Sequence, residues 1–299
     1  MNSSNKNKRK KSPVAKGGGL LGQVRHDWRG GVLHEWKRIL PTVLAALLPC
    51  AALFVQAKVE VDQGVIGSTP VLGDYLIYLF RGMRVYVYNP DEPFKLPVIW
   101  ICLNLYLAFI VGNYPFNDLA TYGQQSLIRS GRRGQWWAGK CLWAVMCTGV
   151  FYLLVYLTVF VFALCTGGID GLKLLPGQEI GAYYCEVDFT QTDPVSALVF
   201  VVVMPIVASL ALTQLQLALS FFTRPIYSYM IIVALLLVSA YITSPWLIGN
   251  YTMLLRSPLV LPEGGIPLWL GPVVFPLLAI LSAVAGWRRF ERYDILETS

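Results

Sequence analysis

Charged residues are scarce in this chain: Asp, Glu, Lys and Arg make up 14% of its 299 residues, against about 25% in an average soluble domain. Apolar residues account for 56%, and the mean hydropathy is +0.55. This composition excludes a disordered chain and a small disulfide-stapled protein. It also argues against a soluble enzyme, because one domain of this size cannot hide so much apolar surface.

Residues and motifs that carry chemistry are also few. The chain has two histidines, His26 and His34, and no HExxH, GxSxG or Walker A motif. Two histidines without an ordered third ligand make a poor metal site. We therefore predict that this chain has no catalytic site and holds no metal or cofactor of its own.

The chain contains several long apolar runs without a charged residue. Crossing a bilayer as a helix takes about 20 apolar residues, and these runs are too long and too uniformly apolar for barrel strands. They predict an all-α polytopic membrane protein whose transmembrane domain covers residues 39–292. Six spans are expected, at about 39–57, 97–114, 141–168, 196–222, 225–244 and 267–287. Residues 245–267 are either a loop or a re-entrant pair.

The positive charges predict the orientation of these spans. With six spans both ends of the chain share one side, and 18 of the 24 Lys and Arg residues then fall on that side. The positive-inside rule places this side in the cytoplasm. We therefore expect a multi-pass plasma-membrane protein with both termini cytoplasmic. This bias explains the sequence pI of about 9.1 without nucleic acid as a partner.

The segments outside the spans differ in character. Residues 1–19 form a basic tail, predicted to be disordered, and residues 293–299 form a second tail. Residues 20–38 predict an amphipathic helix with tryptophans that lies on membrane lipid. The outer segment 170–193 carries five acidic residues and one lysine, which favours a solvated face over a cation site. The sequence leaves a disulfide bond between Cys165 and Cys185 as an alternative to free thiols, because both residues can face outward.

The inner segment between the second and third spans predicts a short helix at about 117–133. Asp118 suits the start of a helix, where the dipole favours a carboxylate, and Gly131 suits its end. The helix is predicted to have one apolar face, formed by Leu119, Tyr122, Leu127 and Ile128. A cluster of arginines lies at its end: Arg129, Arg132 and Arg133. No ionisable residue lies within the six predicted spans, which argues against a carrier that uses a buried carboxylate.

This short helix, followed by Leu-Ile-Arg-Ser-Gly-Arg-Arg and by Gly-Lys before the next span, resembles the coupling helix of ABC-2 type transporter permeases. The layout is similar over about residues 20–292. The resemblance implies an ABC ATPase partner that binds ATP and Mg, and a second permease subunit in a homo- or heterodimer. The ATPase contacts it implies on the coupling helix are Asp118, Tyr122, Gln125, Arg129, Arg132 and Arg133.

Polar residues within the spans are candidates for lining a translocation path: Asn104, Thr158, Gln214 and Gln216. Gln214 and Gln216 are two positions apart and cannot share one helical face, so we expect only one of them to face a path. Hydrogen bonding between helices is the alternative role for all four. The resemblance thus implies the permease of an ABC exporter for an amphipathic substrate, such as a peptide. The alternative is a non-transporting sensor, immunity or scaffold protein.

Overall fold

The computed structural model describes residues 20–91, 93–120, 122–130, 132–169 and 174–293. Within these ranges the chain is helical and contains no β-strand. The two predicted tails, 1–19 and nearly all of 293–299, lie outside the described residues. The helices are α1 (Leu20–Trp28), α2 (Trp36–Ile39), α3 (Pro41–Asp62), α4 (Leu72–Phe80), α5 (Val98–Leu119), α6 (Tyr122–Ser130), α7 (Arg133–Cys165), α8 (Gln178–Ile180), α9 (Pro194–Phe222), α10 (Pro225–Tyr241) and α11 (Gly271–Glu291).

Five helical stretches are long and apolar enough to cross a bilayer, which indicates a membrane protein. They are Trp36–Asp62, Val98–Leu119, Arg133–Cys165, Pro194–Phe222 and Leu268–Glu291. The fifth predicted span is shorter than expected, because α10 ends at Tyr241 after 17 residues. Ile242 already has an extended backbone, and Pro245 has no N–H with which to continue a helix. The six-span count therefore stays a prediction.

Helix α9 lies at the centre of the bundle and packs against α4, α5, α7, α10 and α11. Its buried positions include several small residues: Ala197, Ala208, Ser209, Ala211 and Ala218. Small side chains let neighbouring helices approach closely, which is the usual basis of helix packing in membranes. Helix α3 packs on α7 at one side of the bundle, and α10 packs on α5 at the other.

The segment between the first and second predicted spans, which is the first predicted outer segment, is folded. Helix α4 is buried almost along its whole length, including Tyr75, Ile77 and Phe80, and it packs against α3, α7 and α9. Its first turn is closed by Asp74, whose carboxylate accepts the Val71 N–H at 2.9 Å. The aromatic side chains of Tyr75 and Phe80 are thus part of the core.

Residues 245–267 are neither an exposed loop nor a pair of re-entrant helices. Two 3₁₀ turns, Ile248–Thr252 and Leu254–Arg256, are fully buried. The Trp100 indole donates to the Thr252 hydroxyl at 2.7 Å, which ties the segment to α5. Non-helical backbone is tolerated at membrane depth where protein surrounds it, as it does here.

The predicted helix over 20–38 is broken. A π-helical turn, Arg29–Leu33, separates α1 from the four-residue α2. The break falls at Gly30-Gly31, where the backbone passes close to two aromatic rings. A Cβ on Gly31 would lie 2.3 Å from Trp143 Nε1 and 2.7 Å from Tyr114 Cζ. Glycine is therefore required here for close packing.

The predicted inner helix at about 117–133 is also shorter than expected. Helix α6 covers Tyr122–Ser130, because α5 continues through Asp118 to Leu119 and α7 begins at Arg133. Two residues connect α6 to each neighbouring helix. Asp118 therefore lies at the end of a long apolar helix and does not open the short one.

Candidate functional site

A buried ion cluster lies at the predicted inner end of the bundle, where α1, α5 and α7 meet. The Lys140 ammonium lies 2.5 Å from Asp27 Oδ1 and 2.7 Å from Asp118 Oδ2. The lysine and Asp27 side chains are fully buried, and that of Asp118 is 4% exposed. A charge buried to this extent is tolerated only when it is paired and hydrogen-bonded.

Neutral donors complete the coordination of the two carboxylates. Tyr114 donates to Asp27 at 3.1 Å, and the Gln23 amide donates to the same residue at 3.2 Å. The Trp136 indole donates to Asp118 at 3.2 Å. The Lys140 ammonium also lies 4.7 Å from the centre of the Tyr114 ring and 5.1 Å from that of Trp136, within the range of a cation–π interaction.

Glycines bring the backbone close to this cluster. A Cβ on Gly123 would lie 2.6 Å from Asp118 Oδ2 and 2.8 Å from Trp136 Nε1. A Cβ on Gly139 would lie 2.7 Å from Gln23 Cγ. The first turn of α6 therefore packs directly against the ion cluster, which joins the inner helix to both the N-terminal segment and α7.

The predicted spans 97–114 and 141–168 stop short of the ion cluster, but the helices found there do not. Asp118 lies in α5 and Lys140 in α7, inside two of the membrane-length helices. The spans are defined as runs of uncharged residues, so each predicted span ends where the first charged residue occurs. A buried ion pair near the helix ends, such as Asp118 and Lys140, is therefore placed outside the spans. The hint in the sequence is Gly139-Lys140, a lone cation next to an apolar run.

His26 lies at the edge of the cluster, with its Nε2 3.3 Å from Asp118 Oδ1 and its side chain 31% exposed. His26, Asp27 and Asp118 place possible metal-binding atoms within 4.8 Å of one another. The Lys140 ammonium, however, already lies between the two carboxylates. A divalent cation bound there would have to displace it, so the arrangement is that of an internal ion cluster.

The six residues implied as ATPase contacts occupy different places. Gln125 is exposed on α6, and Arg132 is exposed just before α7. Arg133 donates to the backbone oxygens of Glu291 and Tyr293 at 2.7 and 3.0 Å, at the end of α11 and just beyond it. Asp118 is buried in the ion cluster and offers no surface to a partner. The side chains of Tyr122 and Arg129 lie outside the described part of the chain.

The apolar positions of the inner helix divide into two sets. Leu119 and Leu127 are buried, at 1% and 3% exposure. Ile128 is 69% exposed, and Gln125 lies one turn before it on the same side of α6. The sequence pattern did not distinguish Ile128, because it placed this residue on one apolar face with Leu119, Tyr122 and Leu127.

Two of the four candidates for lining a translocation path lie at the same cavity. Asn104 and Gln216 line a small cavity between α5, α9 and α10, with Ser209 and Thr213 beside them. The cavity has room of about 10 Å³ for a water-sized sphere, roughly enough for one water. Gln216 donates to the Ala108 backbone oxygen at 2.8 Å.

The other two candidates lie elsewhere. Gln214 donates to the Cys141 backbone oxygen at 2.9 Å, so the two glutamines contact different helices, in agreement with their spacing. Thr158 is half-buried and donates to the Leu154 backbone oxygen within α7 at 2.7 Å. Interhelical hydrogen bonding therefore accounts for both glutamines, and only Asn104 and Gln216 border the cavity.

Four acidic residues of the second outer segment have structural partners. Glu179 accepts from Gly67 N at 2.8 Å, and Glu186 pairs with Arg84 at 3.2 Å. Asp188 accepts from Thr190 N at 2.9 Å, and Asp193 caps α9 through Ser196 N at 2.9 Å. Glu179 and Glu186 thus join the two predicted outer segments, whereas Asp188 and Asp193 make local contacts. All six cysteines are free thiols, so Cys165 and Cys185 are not bridged.

Asp74 is the buried acid of this outer region, at 1% exposure. Its carboxylate accepts from Val71 N and from Gly177 N, both at 2.9 Å. Burial raises its pKa to about 7, although these two backbone hydrogen bonds work in the opposite direction. Asp74 thus joins the first and second outer segments and titrates near neutral pH.

The model of one protein family, described as "Protein of unknown function (DUF2705)", matches residues 89–296. This match covers more than half of the chain and includes α6 and the Asp118–Lys140 pair, but not Asp27. No curated protein and no solved structure matches the chain.

Proposed function

The chain belongs to the DUF2705 family, and from its apolar helices and inner loop we propose that it is the permease subunit of an ABC exporter. It spans the plasma membrane six times with both termini in the cytoplasm. A separate ATPase subunit binds ATP and Mg, and a second permease subunit completes the path. The exported substrate is amphipathic, such as a small peptide.

The observation that carries this proposal is the surface of α6. A nine-residue helix with Ile128 exposed at 69% stands between two membrane-length helices. An exposed isoleucine next to the polar Gln125 and the cationic Arg132 suits a partner groove that has an apolar floor and an acidic edge. The chain has no Walker A motif, so the energy for any uphill export comes from another subunit.

The ion cluster supports transmission of movement from α6. Gly123, in the first turn of α6, packs against Asp118, and Lys140 joins Asp118 to Asp27. Displacement of α6 by the ATPase therefore acts on α5, on α7 and on the N-terminal helix at once. Packed elements joined in this way move as rigid bodies, and this motion opens the path to alternate sides.

The test is co-purification of the tagged chain with its ATPase from its native membrane. We expect a soluble subunit with a Walker A motif to accompany it, and Mg-ATP to be hydrolysed by the complex. Ile128→Asp should weaken retention of the ATPase and reduce transport more than expression, because it places a charge in the apolar groove.

Val87→Asp is the matched control, since Val87 is exposed to a similar degree, at 76%, on the predicted outer side. It should retain the ATPase at the wild-type level. If Ile128→Asp binds the ATPase and transports as wild type does, α6 is not the coupling element. Retention of a histidine kinase or a toxin precursor instead of an ATPase would support the sensor or immunity alternative.

A further inference from the structure

The N-terminal segment over residues 20–40, which we term the collar, exposes most of its large apolar residues. Leu21 is 83% exposed, and three further apolar side chains are more than half exposed: Leu33, Trp36 and Leu40. A helix on the surface of a soluble protein has the opposite arrangement, with its apolar side against the core. These exposed side chains require a cover that the described part of the chain does not supply.

The inner face of the collar is fixed by polar groups as well as by the buried side chains of Val32 and Ile39. Gln23 and Asp27 are buried against α7, and Asp27 is paired with Lys140 at 2.5 Å. Gly31 packs against Trp143 and Tyr114. The collar therefore cannot turn over to bury its apolar residues without breaking the ion cluster.

The exposed charges of the collar are cationic. Its two acids are engaged, because Asp27 binds Lys140 and Glu35 pairs with Arg38 at 2.9 Å. Arg25, Arg29 and Lys37 are exposed, and among the described residues none of them has a carboxylate within 4.0 Å. The outer face of the collar thus combines apolar side chains with three cations.

We propose that the collar is a binding surface for the anionic phospholipids of the inner leaflet. The collar leads directly into α3 at Pro41, so its outer face lies at the level where that helix enters the bilayer. Tryptophan and leucine side chains suit the boundary between headgroups and acyl chains. Arginine and lysine near an anionic leaflet are attracted by its surface potential.

This inference rests on the cytoplasmic placement of the collar proposed above, but not on the ATPase. It is tested on the purified full-length chain in nanodiscs, with no nucleotide present. A collar that does not bind anionic lipid would therefore not affect the ATPase experiment. Conversely, the lipid experiment can still be interpreted if no ATPase binds the chain.

The probe is a polarity-sensitive fluorophore on Gly22→Cys, since Gly22 is exposed and a Cβ there meets nothing within 4 Å. The exposed cysteines Cys102 and Cys165 are replaced by serine in the same chain. Quenching by the neutral quencher acrylamide is compared in discs of phosphatidylcholine and in discs that also contain phosphatidylglycerol. We expect several-fold weaker quenching in the anionic discs, and loss of this protection at about 1 M salt, where the Debye length is about 3 Å.

The variant Arg25→Gln/Arg29→Gln/Lys37→Gln should lose this several-fold preference for anionic discs, because these cations supply the attraction to the anionic leaflet. The matched control, Arg224→Gln/Arg288→Gln/Arg292→Gln, removes three exposed cations of the same predicted side and should keep it. Equal quenching of the unaltered collar in both kinds of disc overturns the proposal, whether or not the variants fold. So does protection in phosphatidylcholine discs by added inorganic phosphate, which would assign the site to a free anion.

Discussion

Lys140 and Asp27 are 113 positions apart in the chain, yet the lysine ammonium lies 2.5 Å from the carboxylate and both side chains are fully buried. With Asp118 also at the ammonium, the three groups carry two negative charges and one positive charge. The N-terminal helix is thus attached to the bundle by a buried ion pair. The cation, Lys140, and the carboxylate, Asp27, can be removed by separate substitutions.

Lys140→Met should lower the free energy of unfolding by about 3–5 kcal/mol, because it leaves two buried carboxylates without their cation. Thermal or denaturant unfolding in detergent measures this loss. Lys37→Met, at an exposed position, should change stability by less than about 0.5 kcal/mol.

Adding Asp27→Asn to Lys140→Met should restore part of that stability, because one of the two unpaired charges is then removed. A double-mutant cycle gives the coupling between the two residues. Additive losses in the cycle would contradict a direct ion pair.

Gly31→Ala should destabilise the chain by about 1–3 kcal/mol, the usual cost of overpacking. The added methyl group would lie 2.3 Å from Trp143 Nε1 and 2.7 Å from the Tyr114 ring. Gly22→Ala is the matched control, because nothing lies within 4 Å of its new Cβ. It should be neutral or stabilising, since alanine favours a helix more than glycine does. Equal unfolding midpoints for the two variants would contradict the close approach at Gly31.

Stability should depend on pH through Asp74. Burial raises its pKa to about 7 in the folded state, whereas an unfolded aspartate titrates near about 3.9. The folded state therefore binds an extra proton between these values, and its stability falls as pH rises through this window. The slope from this residue is at most about 1.4 kcal/mol per pH unit.

Unfolding midpoints measured from pH 4 to pH 8 test this dependence, with Asp74→Asn expected to flatten it. Asp188→Asn serves as the control. The pKa of Asp188 is lowered by hydrogen bonds from Thr190 and Gln178, so this residue contributes no loss of stability as pH rises through the window. A slope that survives in Asp74→Asn would assign the effect to another group.

The orientation predicted from the positive charges can be checked with reporter fusions. A reporter at Ser299 should be active only on the cytoplasmic side, and one inserted in residues 174–193 only on the outside. The reason is the excess of Lys and Arg in the segments assigned to the cytoplasm. A C-terminal reporter active only outside would overturn the topology and, with it, the proposed ATPase contact.

The sequence predicted the helical class and the main apolar helices, because a membrane span is a local property of about 20 residues. It also separated Gln214 from Gln216, since helical geometry places them on different faces. It missed the ion cluster, because the pairing of Asp27 with Lys140 depends on tertiary contacts across 113 residues. The burial of Leu127 beside the exposed Ile128 likewise follows from the packing of α6 and not from residue type.

Arg256 has a consequence for how the protein is made. Its guanidinium is fully buried and donates to the backbone oxygens of Ser239 and Ala240, at 2.5 and 2.6 Å, at the end of α10. During synthesis those oxygens emerge 16 or more residues before Arg256, so the end of α10 has no arginine cap when this helix first leaves the ribosome. Helix α10 covers about 25 Å at 1.5 Å per residue, less than the roughly 30 Å of a hydrocarbon core. We therefore expect α10 to become stably packed only after the segment that follows it has been made.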